Sequence, residues 1–157
     1  MAKFEGLIID IDLELQNLDR LTMELGQTTQ EIKEIPDYTQ IRAIGSILHD
    51  FYTGLEKIFE RIALTIDGGV PEGDDWHIQL LRRMLANIPD RRPALFTKNV
   101  GESLGEYLSF RHLFRNIYGF ELKWERMSPL VEKFPSVFKE VESQLMKFIN
   151  FISEIQN

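Results

Sequence analysis

The sequence lacks cysteine and long apolar runs. Without a thiol among its 157 residues, the chain can form neither a disulfide framework nor a thiolate metal site. No apolar run approaches the length of a membrane span. Acidic residues also interrupt positions 1–16, where a signal peptide would need an uncharged stretch. We therefore expect a cytoplasmic protein that does not enter a membrane.

Common motifs for metals and nucleotide phosphates are missing as well. Metal sites in helix bundles use Glu-x-x-His pairs, and the sequence contains none. Residues 74–77 (DDWH) offer one Asp-x-x-His spacing, but at the predicted start of a helix their expected role is capping. The glycine pair at 68–69 is not followed by the Gly-Lys-Ser/Thr of a phosphate-binding loop. We expect no metal and no cofactor.

The composition is that of an ordinary globular protein, with 43% hydrophobic and 27% charged residues. We expect residues 1–157 to form one domain, because this length fits a single core. The net charge of -7 argues against general nucleic-acid affinity, yet the charge is uneven. Residues 82–126 hold nine of the 18 Lys/Arg but five of the 25 Asp/Glu, a local charge of +4. Such a basic segment suits a phosphate backbone, and chance clustering on a solvated surface explains it equally well.

Apolar residues recur at helical spacing along most of the chain, and no stretch alternates at period two for long enough to predict a strand. We predict helices at 4–25, ended by Gly26, at 37–66, 76–88 and 103–120, and a final one after Pro129 and Pro135 that reaches about residue 156. Three long helices with heptad-like seams and two shorter ones predict an all-α fold, an up-and-down helical bundle of four to five helices. The seam of the second helix consists of Ile41, Ile44, Leu48, Phe51, Leu55, Ile58 and Ile62.

Two glycines, Gly45 and Gly54, lie inside the second predicted helix. Each costs roughly 1 kcal/mol relative to alanine. We interpret them as marks of a close approach by another helix.

The fourth predicted helix carries a compact polar cluster over residues 111–118 (RHLFRNIY). At 100° per residue, Arg111, Arg115 and Tyr118 form one stripe, and His112 and Asn116 form another. An apolar face on the opposite side predicts packing against a core. This face consists of Tyr107, Phe110, Phe114 and Ile117.

The cluster contains the groups that metal-independent cleavage of a phosphodiester requires, namely a cation for the phosphate and a proton carrier near neutral pH. Arg111 and Arg115 offer planar forks for phosphate oxygens. His112 is the group in the cluster that titrates near pH 7, and Tyr118 could orient a hydroxyl or stack on a base. Alternatively, the arginines pair with nearby acidic residues on a solvated helix and have no chemical role. Judged by the residues alone, this alternative is favoured.

Arg111-x4-Asn116-x-Tyr118 resembles the Arg-x4-His-x-Tyr motif of HepT-like toxins in the HEPN superfamily, in which a polar residue commonly follows the arginine, as His112 does. The stretch 110–127 (FRHLFRNIYGFELKWERM) is also similar to a HepT-like subfamily. The resemblance implies a helical bundle that forms a homodimer through the motif helix and cleaves RNA in a composite cleft without a metal. It further implies a partner, an MNT-type nucleotidyltransferase antitoxin, which in some systems adenylylates the motif tyrosine.

On this mapping Arg111 and Arg115 bind RNA phosphate, and Tyr118 is the candidate for adenylylation. Asn116 replaces the motif histidine, and an amide cannot act as acid or base although it still forms hydrogen bonds. His112, four residues earlier on the same stripe, could substitute for it in the dimer cleft. The resemblance therefore implies a toxin-antitoxin ribonuclease, fully active or attenuated. The alternatives are a non-catalytic module that binds RNA or nucleotide or serves a nucleotidyltransferase as its partner subunit, and a purely structural helical dimer.

Overall fold

The computed structural model describes residues 3–155, which form five α-helices and no β-strand. The helices are α1 (Glu5–Gln30), α2 (Tyr38–Ile62), α3 (Trp76–Met84), α4 (Lys98–Asn116) and α5 (Trp124–Ile155). A π-helical turn, Ala63–Asp67, extends α2, and a 3-10 turn, Gly119–Glu121, lies between α4 and α5. The prediction of an all-α helical bundle is confirmed. The predicted end of the last helix, near residue 156, lies outside the described residues.

The central helix is α2, which packs against each of the other four helices. It begins with a capping box, in which the side chains of Asp37 and Gln40 each accept a hydrogen bond from the other residue's backbone N–H. Its predicted seam is confirmed as a buried stripe. The residues of this stripe are Ile41, Ile44, Leu48, Phe51, Leu55, Ile58 and Ile62.

Close helix approaches occur at both glycines of α2. A Cβ atom at Gly54 would lie 2.7 Å from Cδ2 of Leu18 in α1, and one at Gly45 would lie 3.0 Å from the ring of Phe114 in α4. A real Cβ would not tolerate the first distance. The interpretation of Gly54 and Gly45 as contact points is therefore confirmed.

A buried arginine, Arg92, closes the end of α3. Its Nε and Nη2 donate to the two carboxylate oxygens of Asp67, at 2.7 Å and 2.6 Å. The same guanidinium donates to the carbonyls of Arg83 and Ala86, in the last turn of α3 and just beyond it. Carbonyls at a helix end have no intrahelical donor. With this external donor, α3 ends at Met84, so the predicted end is wrong by four residues.

Two further helices are longer at one end than predicted. α1 continues through Gly26, since one glycine costs only about 1 kcal/mol and does not by itself end a helix. α4 begins five residues early, at Lys98, because the hydroxyl of Thr97 caps it by accepting from the N–H of Val100. The spacing of apolar residues predicts which face of a helix is buried, whereas the position where the helix begins depends on capping hydrogen bonds such as this one.

The last helix, α5, begins at Trp124 and passes through Pro129 and Pro135. A proline inside a helix removes a hydrogen bond, which is why the prediction placed the helix after both. Burial of the apolar residues between them, such as Leu130 and Phe134, offsets this cost. In addition, the hydroxyl of Tyr107 in α4 donates to the carbonyl of Leu130 at 2.6 Å and ties this part of α5 to the core.

No helix among the described residues has the combination of length and apolar character needed to cross a bilayer.

Candidate functional site

The side chain of Arg111 points inward, into a polar cluster held by three helices. It is 11% exposed. Its Nε donates to Oγ1 of Thr53 in α2 at 3.1 Å, and its Nη1 lies 3.5 Å from Oε1 of Glu56, also in α2. The same Nη1 lies 3.3 Å from Nδ1 of His77 in α3. Arg111, Glu56 and His77 therefore form one cluster, which we call the Arg-Glu-His cluster.

Glu56 orients the imidazole of His77. Its side chain is 6% exposed, and its Oε2 lies 2.7 Å from His77 Nδ1. A carboxylate only accepts hydrogen bonds, so Nδ1 carries a proton, and the tautomer that this contact selects for a neutral ring has its lone pair at Nε2. The ring of Trp76 lies against the imidazole, with 3.7 Å between the ring centroids. Nε2 makes no hydrogen bond with the described residues and is open to solvent.

Burial and negative charge shape the electrostatics behind this cluster. Burial and then the charge of Glu56 raise the pKa of Glu60, one turn further along α2, while His77 and Arg111 lower it. The pKa of Tyr52 is also raised, first by burial and then by Glu56. The Tyr52 hydroxyl is buried and has no hydrogen-bond partner among the described residues. Tyr52 thus remains neutral, and Arg111 is the cation that balances the two carboxylates.

A groove of about 880 Å³ runs between α3 and α4, and the Arg-Glu-His cluster opens onto it. Both His77 and Arg111 line the groove, and the Nη2 atom of Arg111 makes no hydrogen bond with the described residues. Other polar groups of the lining are Asp74, Asp75, Arg82, Ser109, His112, Arg115 and Asn116, and its apolar side chains are Ile78, Leu81, Leu85 and Leu108. The groove therefore combines three arginines, two carboxylates and an apolar wall.

Asn116, at the motif histidine position, ends α4. Its Nδ2 donates to the carbonyl of His112 at 2.6 Å, and Ile117 has extended backbone angles. The prediction of a helix to Phe120 is wrong, because the Asn116 amide binds a carbonyl of the last turn and the chain turns away. His112 and Asn116 share one exposed stripe as predicted. The imidazole of His112 makes no hydrogen bond with any part of the chain that the structure describes.

The predicted stripe of Arg111, Arg115 and Tyr118 separates in the structure. Arg115 is exposed at the groove, whereas Tyr118 lies beyond the helix end and is 71% exposed. The Tyr118 ring stacks on that of Phe120, with centroids 5.2 Å apart and an angle of 8° between the planes. The four polar residues at 111–116 line the groove, while Tyr118 stands outside it.

Sequence reasoning missed two members of the cluster, Glu56 and His77. Both are far from Arg111 along the chain, at sequence separations of 55 and 34 residues, and only the packing of α2, α3 and α4 joins them. The sequence held one indication that Glu56 is buried, because Glu56 follows Tyr52 by four residues and precedes Phe59 by three on the buried side of α2.

The expected capping by residues 74–77 is only partly present: Asp75 occupies the N-cap position of α3 without a side-chain cap bond. No group of three or more potential metal ligands occurs among residues 3–155.

The fold and the site define a helical bundle whose fourth helix presents an arginine to a groove beside a carboxylate-bound histidine. The profile of the HepT-like protein family matches residues 43–152, from α2 to α5. The match spans more than half of the chain and includes the whole Arg-Glu-His cluster, and the chain belongs to the HepT-like family. Comparison with curated proteins and with solved structures gives no match.

Proposed function

We propose that this protein is the toxin component of a toxin-antitoxin pair and acts as a metal-independent endoribonuclease in the cytoplasm. Membership of the HepT-like family supports the proposal. The observation that carries it is the state of Arg111, whose guanidinium is fixed by Thr53 and Glu56 but keeps Nη2 free at the groove. A guanidinium fixed in this way is preorganised to hold a phosphate and to offset charge in the transition state.

The groove offers a second cation for RNA. Arg115 lies one turn after Arg111 on α4 and is exposed at the groove, and Arg82 lies on its opposite wall. These charges belong to the basic segment 82–126 and support binding of phosphates at this groove, where the three arginines outnumber the two aspartates, Asp74 and Asp75. RNA binding by this surface should weaken as the salt concentration rises.

We further propose that the protein forms a homodimer through α4, so that two grooves join in one composite cleft. The apolar wall of the groove supports this, because its side chain Ile78 is 47% exposed and a second copy would cover it. Residues 1–157 would then act as one HepT-like domain. The high exposure of Tyr118 supports its role as the tyrosine that an MNT-type nucleotidyltransferase antitoxin adenylylates.

The ribonuclease proposal is tested by incubating a mixed RNA pool with the purified protein in EDTA. We expect the wild type to cleave RNA and Arg111→Ala to cleave ~10²-fold more slowly, because one preorganised donor is lost. Arg20→Ala removes an exposed arginine of α1 that does not line the groove, and this control should retain activity. Circular dichroism would verify that both variants fold. Intact RNA with the wild type would contradict the proposal.

A second candidate is a non-catalytic module that binds RNA or nucleotide, or the partner subunit of a nucleotidyltransferase. Asn116 favours it, because the residue at the motif histidine position cannot carry a proton and its amide is bound to a backbone carbonyl. The variant Asn116→His separates the two candidates. RNA binding without cleavage by the wild type, together with cleavage by Asn116→His, would assign the binding module.

A further inference from the structure

We infer that His77 is the proton carrier of the ribonuclease, in place of the motif histidine that Asn116 replaces. The inference rests on the proposed ribonuclease function. His77 lies outside the motif, on α3, and reaches Arg111 through the packing of α3 against α4. The substrate class is RNA, whose ribose 2′-hydroxyl supplies the nucleophile.

Geometry fixes His77 in the state that a general base needs. Glu56 holds Nδ1 as the protonated nitrogen, so the basic lone pair is on Nε2, which is open to solvent. Trp76 covers one face of the ring and restricts its rotation. An imidazole held by a buried carboxylate, with its second nitrogen free, is the arrangement that general bases in acyl-transfer sites use.

The charged groups around His77 come from three elements. Glu56 and Glu60 of α2 stabilise the imidazolium, while the guanidinium of Arg111 from α4 opposes it. Asp74 and Asp75, which precede His77 at the start of α3, also line the groove and add negative charge. Tyr52 behind the cluster remains neutral. Arg111 lies beside His77, where its guanidinium can bind phosphate.

The other two residues of the motif region lack these features. Asn116 cannot titrate, and its amide is engaged with the carbonyl of His112. The imidazole of His112 is exposed, and no side chain among the described residues orients it by a hydrogen bond. Of the histidines that line the groove, His77 is the one whose tautomer is set by a carboxylate.

The chemical step can be written with all atoms balanced. Nε2 of His77 takes the proton of the ribose 2′-hydroxyl, and the 2′ oxygen forms a bond to the adjacent phosphorus. The bond from phosphorus to the 5′ oxygen breaks, and that oxygen leaves with the electron pair and takes a proton from water. The hydroxide that remains accepts the proton of the imidazolium. The products are a 2′,3′-cyclic phosphate and a 5′-hydroxyl end, and Arg111 offsets the charge that develops on the phosphate oxygens.

The variant His77→Asn tests the inference, because its amide can still donate to Glu56 but cannot accept a proton as a base. We expect cleavage of the RNA pool in EDTA to fall ~10²-fold or more, the usual contribution of a general base. Binding to a non-cleavable 2′-deoxy oligonucleotide should stay within ~2-fold of wild type, since Arg111 is retained. The matched control is His49→Asn on α2, which does not line the groove and should cleave like wild type.

The pH profile supplies a second readout. The wild-type rate should rise with pH while His77 loses its proton and then level off, because the neutral imidazole is the active form. The residual activity of His77→Asn should lack this rise.

Each alternative outcome has a distinct meaning. Retained activity in His77→Asn with loss in Arg111→Ala would overturn the inference and leave the ribonuclease standing. Equal loss of binding and cleavage in His77→Asn would also overturn it, because that pattern indicates a structural role. A wild type that does not cleave RNA would overturn the ribonuclease proposal and the inference together.

Discussion

Buried charges in this bundle are arranged in pairs that have different consequences for stability and for function. Arg92 and Asp67 are both buried and satisfy each other with two hydrogen bonds, so neither guanidinium nor carboxylate faces a groove. Arg111 and Glu56 are held less completely, at 3.5 Å, and the guanidinium keeps an open nitrogen. The Arg92–Asp67 pair links the π-helical turn to the end of α3. The Arg111–Glu56 pair leaves the Arg111 guanidinium able to bind a ligand.

The Arg92–Asp67 pair leads to a prediction about stability. Asp67→Ala would leave a buried guanidinium without its counterion, and breaking a buried pair in this way costs about 3–5 kcal/mol. We expect a loss of this size in the free energy of unfolding measured in urea. The control Asp12→Ala, an exposed residue of α1, should change it little. A loss below about 1 kcal/mol in Asp67→Ala would contradict this role of the pair.

Glu60 gives a prediction about pH. Burial, followed by the charge of Glu56, raises its pKa above the ordinary value of 4.5, so the folded state binds this proton more tightly than the unfolded state does. The contribution to stability is therefore highest at low pH and is lost as the pH rises through the raised pKa. We expect Glu60→Gln, which cannot ionise, to be stabilised relative to wild type at neutral pH but not at about pH 4. Urea unfolding at both pH values measures this, with the exposed Glu142→Gln as the control. A pH-independent difference would contradict it.

At the scale of single residues, the sequence identifies candidate residues of the site but not the side chains that contact them. Arg111, His112 and Tyr118 are all recognisable in the sequence of the motif region. That Arg111 turns inward could not be read from its helical stripe, because Thr53, Glu56 and His77 meet it only through tertiary packing. In the sequence, His77 is notable only for its Asp-x-x-His spacing. Its carboxylate partner, Glu56, comes from another helix.

The helices differ in how closely their neighbours approach them. Gly54 of α2 faces the buried Leu18, whereas a Cβ atom added at Gly26 of α1 would have nothing within 4 Å. Close packing therefore requires a glycine at position 54 but not at position 26.

Substitution of the two glycines by alanine should have opposite effects. Gly26→Ala should raise the free energy of unfolding by about 0.5–1 kcal/mol, because alanine favours the helix and meets no obstacle. Gly54→Ala gains the same propensity but forces Leu18 to move within the core, at a typical cost of about 1–3 kcal/mol, so we expect a net loss of about 1 kcal/mol. Thermal or urea unfolding of both variants measures the difference. Equal stabilisation of both would contradict the close contact.

At the scale of elements, buried faces were predictable and helix ends were not. The seam of α2 and the apolar face of α4 follow directly from spacing. The ends of α3 and α4 depend on side-chain hydrogen bonds that spacing cannot reveal. The Arg92 guanidinium donates to the carbonyls of Arg83 and Ala86, and the Asn116 amide donates to that of His112. The early start of α5 reflects burial that outweighs two prolines.

On the scale of the whole molecule, charge and shape coincide at one groove. The basic segment predicted at 82–126 supplies Arg82, Arg111 and Arg115 to its lining. The same groove carries an apolar wall next to the motif helix, with Leu81, Leu85 and Leu108. Three of the nine basic residues of this segment therefore line one groove.

The proposed homodimer predicts a solution behaviour. Light scattering at micromolar concentration should give twice the mass of the chain. Gly105 faces open space in the groove, so Gly105→Arg should leave the monomer folded but prevent a second copy from packing on α4. Gly26→Arg, which is also in open space but on α1, is the matched control and should stay dimeric. A monomeric wild type would contradict the composite cleft.

The most direct test of the proposed chemistry is the end-group analysis of RNA incubated with the protein in EDTA. We expect the wild type to produce fragments that end in a 2′,3′-cyclic phosphate and a 5′-hydroxyl, and we expect Arg111→Ala and His77→Asn to leave the RNA largely intact. Intact RNA in the wild-type reaction, or the same fragments from all three proteins, would contradict a ribonuclease site at Arg111 and His77.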